Sequence, residues 1–187
     1  MTPTFHTSRP ASEADRHVPH VILVGLPGCG KTTVGRAVAE RLNRPFLDLD
    51  EEIERREGEP IGQIFGERGE AYFRQLERQL TEEVRECGGM IVSPGGGWAA
   101  NPGLVALLRP PGRLVYLRVR PETALERLGA NRSLRPLLSR PDPLAELKRL
   151  HVARRVGYES ADWFVDTELH GLQWVIDEVA GLVLARR

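Results

Sequence analysis

The stretch GLPGCGKTT, residues 25–33, follows directly on the apolar run VILV. Gly25, Gly30, Lys31 and Thr32 match G-x-x-x-x-G-K-[ST], a spacing that lets successive backbone N–H groups wrap a phosphate at a helix start. Unpaired N–H donors and the helix dipole favour negative charge there. In such a loop Lys31 reaches the β- and γ-phosphates of a nucleotide, and the Thr32 hydroxyl ligates Mg²⁺. Cys29 has two readings: it fills a tolerant loop position, or it is a partly exposed thiol acidified by the helix start.

Four further groups of residues could receive or steer a phosphoryl group. Asp48 and Asp50, in DLD, stand two apart at the end of an expected strand, a spacing that points both carboxylates the same way. One could hold a magnesium-bound water while the other accepts a hydrogen bond from a substrate hydroxyl. Alternatively, with Glu51 and Glu52, they are acids that open a helix. Arg74, in GEAYFRQLE, is either solvated or paired with Glu70 or Glu77. Gly95, Gly96 and Gly97 allow close backbone approach to a ligand, with a plain turn as the competing reading. Arg132, Arg135 and Arg140, followed by Arg154 and Arg155, could neutralise charge on a transferred phosphoryl group, or form a solvated face.

Positioning these groups needs a sheet whose strand ends converge. Apolar strands are expected at His20–Gly25, Pro45–Asp50, within GGMIVSPGGG, at Arg113–Val119 and in WFVDTE. Helical spacing lies between them. The helical stretch from Glu51 to Cys87 is broken near Gly58–Pro60 and near Gly66–Gly69. This alternation argues a parallel sheet covered on both faces, with ligands at the strand ends.

The 187 residues suit one α/β domain over 20–187, preceded by a polar, disordered extension over 1–19. Lys plus Arg and Asp plus Glu number 26 each, so no global field suggests nucleic acid or a membrane surface. No apolar run approaches the ~20 residues of a membrane helix. The five His and two Cys show no metal-ligand spacing. Two unclustered cysteines, read as free thiols, fit a reducing, cytoplasmic setting.

GLPGCGKTTVGRAVAERL, FLDLDEEIE, IGQIFGERGEAYFRQLE, PGGG, RPLL and YESADWFVDT together resemble the shikimate kinases, within the nucleoside monophosphate kinase-like group. The resemblance covers roughly residues 20–185. It implies a three-layer P-loop kinase fold with a five-stranded parallel sheet, helices on both faces and a mobile lid at about 130–143. It further implies phosphorylation of the 3-hydroxyl of shikimate, in aromatic amino-acid biosynthesis, by a monomer that uses ATP and one Mg²⁺. Gly28, Cys29, Gly30, Lys31, Thr32 and Thr33 would then hold ATP, with Thr32 and Asp48 on the metal. Asp50 would bind the acceptor hydroxyl and take its proton. Arg74 and Arg154 would clamp the acceptor carboxylate, and Gly95–Gly97 would line its pocket. Arg135 would be the lid arginine, and Arg127 or Arg132 would approach adenine. Val156 and Gly157 depart from the family pattern, as does Trp98, which either caps the core or narrows the acceptor pocket. The alternatives are a gluconate-type kinase of the same fold and a non-catalytic ligand-sensing module.

Overall fold

The computed structural model describes residues 5, 17–129 and 141–185. Arg132, Arg135, Arg140, most of the expected lid and most of residues 1–19 therefore lie outside the described residues. Phe5, within the stretch read as an extension, packs against the core, with the Arg56 guanidinium 5.6 Å from its ring centre.

Five strands form one parallel sheet in the order β2-β3-β1-β4-β5: β1 Val21–Val24, β2 Phe46–Asp48, β3 Ile91–Ser93, β4 Arg113–Arg118 and β5 Trp163–Asp166. β1, at the centre, is buried along its whole length, which is why VILV carries no alternation. Between the strands run α1 Lys31–Arg41, α2 Leu49–Glu57, α3 Ile61–Arg85, α4 Pro102–Leu108, α5 Pro121–Leu128 and α6 Pro143–Glu159, and α7 Leu172–Leu184 follows β5. A short 3₁₀ turn, Trp98–Ala100, precedes α4.

Two departures from expectation concern boundaries near the site. β2 stops at Asp48, because the Asp48 carboxylate accepts the N–H groups of Asp50 and Glu51 and so caps α2. Asp50 therefore lies in the first helical turn, and the strand argument for its direction does not hold. Pro143, expected at the end of the lid, is instead the first residue of α6, capped by Asp142 onto the Ala145 N–H at 2.9 Å. The expected break near Gly69 is present, with φ 79° inside α3. This backbone region favours glycine.

α1 lies close on the sheet: a Cβ at Gly35 would stand 2.5 Å from the Phe46 ring. α5 begins without a side-chain cap of its own. Glu168, after β5, supplies one by accepting the Arg120 N–H at 2.9 Å and the Thr123 hydroxyl.

The opposite, amino end of the sheet is closed by a buried polar pair. His20, 5% exposed, accepts the Met90 N–H on Nδ1 at 3.3 Å, while Arg44 donates to the carbonyls of Gly89 and Pro19. Burial, helped by the Arg44 charge, pulls the His20 pKa down from 6.5 to about 4. The unfolded chain thus takes up this proton first as pH falls, so the contribution is intact above 6.5 and is lost from 6.5 towards 4. Urea unfolding should show about 2 kcal/mol less stability at pH 5 than at pH 8 from this residue alone. His20→Gln should flatten that difference, and an unchanged pH slope in the variant would refute the assignment.

Candidate active site

The carboxyl ends of β1, β2 and β3 open into a cleft of about 920 Å³. The loop after β1 forms one wall. Gly25, Gly28 and Gly30 adopt φ of 146°, 85° and 98°. A Cβ on Gly28 would stand 2.4 Å from the Ala124 carbonyl oxygen, so the loop cannot carry a side chain there. The first bond of α1 runs from the Val34 N–H to the Gly30 carbonyl, so the N–H groups of Lys31, Thr32 and Thr33 precede the helical ladder. The Lys31 ammonium is held across the loop by the carbonyls of Gly25 and Leu26, at 3.1 and 3.2 Å. Cys29 is a buried free thiol, and its N–H is tied to the Leu26 carbonyl at 3.1 Å. The reading of an exposed, reactive thiol is therefore wrong: the side chain packs inside the turn.

Asp48 joins three segments at the cleft floor. Besides capping α2, its Oδ2 accepts the Thr32 hydroxyl at 2.7 Å and the Ser93 hydroxyl at 2.9 Å. Thr32, Asp48 and Ser93 thus make a small group of hard oxygen donors beside the phosphate loop, the chemistry Mg²⁺ prefers. Among the described residues no group of three or more His, Cys, Asp or Glu could hold a metal ion. An ion here would draw the rest of its shell from phosphate oxygens and water.

The glycine turn after β3 forms the facing wall, and each glycine meets a different functional side chain. A Cβ on Gly95 would stand 2.7 Å from Asp50 Oδ1, one on Gly96 3.0 Å from an Arg154 guanidinium nitrogen, and one on Gly97 3.1 Å from an Arg74 guanidinium nitrogen. One carboxylate and two guanidinium groups therefore converge on three residues without side chains. Both pairings expected for Arg74 are present: Glu77 accepts at 2.8 Å and Glu70 at 3.0 Å. Glu77 is 1% exposed and its Oε1 has no hydrogen-bond partner. Burial raises its pKa, against the pull of Arg74 and Arg154. Tyr158, one turn beyond Arg154 on α6, donates its hydroxyl to the Gly96 carbonyl at 2.6 Å. Burial also pushes its pKa up.

Beyond the phosphate loop the cleft continues past Arg127, Thr167, His170 and Leu172. Arg127 is fixed by the Thr167 hydroxyl and carbonyl, at 2.8 and 2.6 Å, and His170 stacks on Trp174 with ring centres 3.8 Å apart. The sequence reading named Arg127 there but missed Thr167 and His170. Thr167 closes the quoted stretch YESADWFVDT without a role assigned to it, and no motif marks His170; both enter the cleft only when β5 pairs with β4. Of the expected site residues, Gly28, Cys29, Gly30, Lys31, Thr32, Thr33, Asp48, Asp50, Arg74, Gly95, Gly96, Gly97 and Arg154 line this one cleft. Arg132 and Arg135 fall outside the described residues.

The three departures lie away from the cleft lining. Val156 is 85% exposed. Trp98 is fully buried and donates its indole N–H to the Thr81 hydroxyl at 3.1 Å, so it caps the core. Gly157 is where α6 crosses the 3₁₀ turn: a Cβ there would stand 2.1 Å from the Ala99 carbonyl oxygen.

A family model described as shikimate kinase matches residues 27–182. The shikimate kinase of Burkholderia pseudomallei (strain K96243) is 42% identical over 176 residues, spanning 90% of this chain and 95% of that protein. The structure of the shikimate kinase from Acinetobacter baumannii in complex with shikimate superposes with a TM-score of 0.86 at 34% identity, covering 94% of this chain and 98% of that one. A gluconokinase from Sinorhizobium meliloti 1021 is similar in fold, with a TM-score of 0.60 at 21% identity over 91% of this chain and 94% of its own.

The α6 crossing gives a prediction of unusual sign. Glycine to alanine in a helix normally stabilises by about 1 kcal/mol. Gly157→Ala should instead destabilise by about 1–3 kcal/mol, because the methyl group meets backbone. Val156→Ala, one position earlier on the exposed side, should stay within about 0.5 kcal/mol of the parent. Denaturant unfolding of both variants checks the pair, and a neutral Gly157→Ala would show that α6 can move off the turn.

Proposed function

The chain belongs to the shikimate kinase family, and from that premise we propose that it transfers the γ-phosphoryl group of ATP to the 3-hydroxyl of shikimate. The observation that carries this reading is the convergence of Asp50, Arg154 and Arg74 on Gly95, Gly96 and Gly97, across one cleft from the phosphate loop. A ring hydroxyl needs a carboxylate acceptor, and a carboxylate substituent needs guanidinium groups that can grip it through two hydrogen bonds. The likeness to a gluconokinase, at 21% identity, is one of fold alone. A ligand sensor without turnover would not need Lys31, Thr32, Asp48 and Asp50 together.

In this mechanism the loop N–H groups and Lys31 hold the ATP phosphates and keep the γ-phosphorus in line with the acceptor oxygen. Arg74 and Arg154 hold the shikimate carboxylate, which fixes the ring and presents its 3-hydroxyl to Asp50. The hydroxyl proton passes to Asp50 as the new O–P bond forms, and the bond from the γ-phosphorus to the bridging oxygen breaks, leaving ADP. Lys31 stabilises charge on the phosphates through the transfer, and Arg135, outside the described residues, would add a second cation. Thr32 and Asp48 would hold Mg²⁺, which supplies charge neutralisation on the phosphate oxygens. Arg127, held by Thr167, would approach the base of the nucleotide.

Residues 20–187 are read as one domain, built on a single five-stranded sheet, that acts as a monomer. Balanced charge and the lack of a membrane-length helix among the described residues fit small-molecule substrates. Neither Cys29 nor Cys87 is in a disulfide, which fits a cytoplasmic setting.

A coupled ADP-release assay with ATP and Mg²⁺, comparing shikimate, quinate, gluconate and no acceptor, tests the proposal. Shikimate-dependent turnover is expected. Lys31→Ala and Asp50→Ala should each lower kcat by about 10²-fold or more. Arg154→Ala should mainly raise the shikimate KM. Turnover with gluconate alone would leave the phosphate loop intact and discard the arginine clamp, and tight nucleotide binding with no turnover would favour the sensor.

A further inference from the structure

We infer that Trp98 is a positioning residue for the acceptor clamp, acting through Thr81 on the helical turn that carries Glu77 and Arg74. This deepens the acceptor reading above and rests on it. The two arginines that would grip the acceptor come from different helices, Arg74 from α3 and Arg154 from α6. The turn Gly95–Ala100 meets both, Gly97 lying beside the guanidinium groups of Arg74 and Arg154, so the spacing of the clamp depends on how that turn is pinned to each helix.

The pin to α6 is the Tyr158 hydroxyl on the Gly96 carbonyl, together with the close crossing of Gly157 over Ala99. The pin to α3 is the Trp98 indole. Its N–H reaches the Thr81 hydroxyl at 3.1 Å, and that hydroxyl in turn donates to the Glu77 carbonyl at 2.7 Å, one turn back along α3. A threonine hydroxyl has one proton and two lone pairs. With the proton committed to Glu77, an oxygen lone pair is left for the indole, and no other proton assignment satisfies both bonds. Thr81 and Trp98 are both fully buried, so neither bond can be exchanged for water. From Glu77 the connection passes to Arg74 through the carboxylate at 2.8 Å, and Arg74 ends against Gly97. The relay thus closes a loop from the glycine turn, through Trp98, Thr81, Glu77 and Arg74, back to the glycine turn.

Thr81→Val is the cleanest probe, because it keeps the shape and removes the hydroxyl. It leaves a buried indole N–H without a partner and frees the turn to shift relative to α3. The shikimate KM should rise roughly tenfold, the scale of one unpaired buried donor, with kcat and the ATP KM within about twofold of the parent. Thr81→Ser, which restores the hydroxyl, should return the shikimate KM to the parent value. Trp98→Phe should raise the same constant, and adding Thr81→Val to it should cost little more, since the bond is already gone.

Amide hydrogen exchange gives a readout that does not depend on the acceptor: Thr81→Val should speed exchange across residues 95–100, and Thr81→Ser should not. An unchanged shikimate KM in Thr81→Val, an ATP KM rising in step with it, or a Thr81→Ser as impaired as Thr81→Val would each overturn the inference. If the parent protein shows no shikimate turnover, the acceptor reading fails. Exchange across 95–100 then decides on its own whether the relay pins the turn.

Discussion

The carboxylate of Asp48 meets four hydrogen-bond donors at the carboxyl edge of the sheet: the hydroxyls of Thr32 and Ser93 and the N–H groups of Asp50 and Glu51. Those donors belong to the phosphate loop helix, to β3 and to the first turn of α2. The phosphate loop helix, the glycine turn and Asp50 are therefore all referenced to one buried acid. The glycine turn that follows β3 is referenced to it through Ser93, and Asp50 through the cap. The arrangement is economical in chain but severe in consequence, since a group with all its acceptor positions engaged tolerates little displacement. The metal chemistry proposed here would use the same oxygens, so ion and fold would draw on one side chain.

Charge is balanced just as closely on the acceptor side. Arg74 lies between Glu70 and Glu77, and Arg154 faces the buried Glu77 from across the turn. Two cations are thus tempered by carboxylates of which one is buried and one is exposed. Without Glu77 the guanidinium groups would repel one another across a few ångströms of desolvated space. With it, the site keeps enough positive charge to attract a carboxylate and still packs.

Much of this was legible in the sequence, for identifiable reasons. The phosphate loop is local, and its glycines, lysine and threonine are all close in the chain. β1 and β4 are buried on both faces and announce themselves as apolar runs. DLD misled because Asp48 ends a strand and caps a helix with the same side chain, so its two-residue spacing to Asp50 spans two kinds of structure. Thr81, Thr167 and His170 were not visible as site residues. Thr81 and Thr167 meet partners far off in sequence, Trp98 17 positions from Thr81 and Arg127 40 positions from Thr167, while His170 packs on the nearby Trp174 and reaches the cleft only through the fold. Glu77 was visible as a pairing partner of Arg74, but nothing in its neighbours foretold an oxygen left bare in the interior. The amino end of the sheet, with His20 and Arg44, was equally silent, because its bonds run to backbone groups.

The crossing of α6 over Ala99 also bears on how such a chain can drift over generations. Once position 157 is glycine and the helix has settled against the carbonyl of Ala99, any later exchange at 157 meets backbone and not a yielding side chain. Position 98, filled by indole and hydrogen-bonded beneath α3, is closed to gradual change from the other side. Both contacts bear on the same 3₁₀ turn, so an exchange at either position has to shift it. Lineages that carry this pair should therefore keep it while the exposed neighbour at 156 wanders freely.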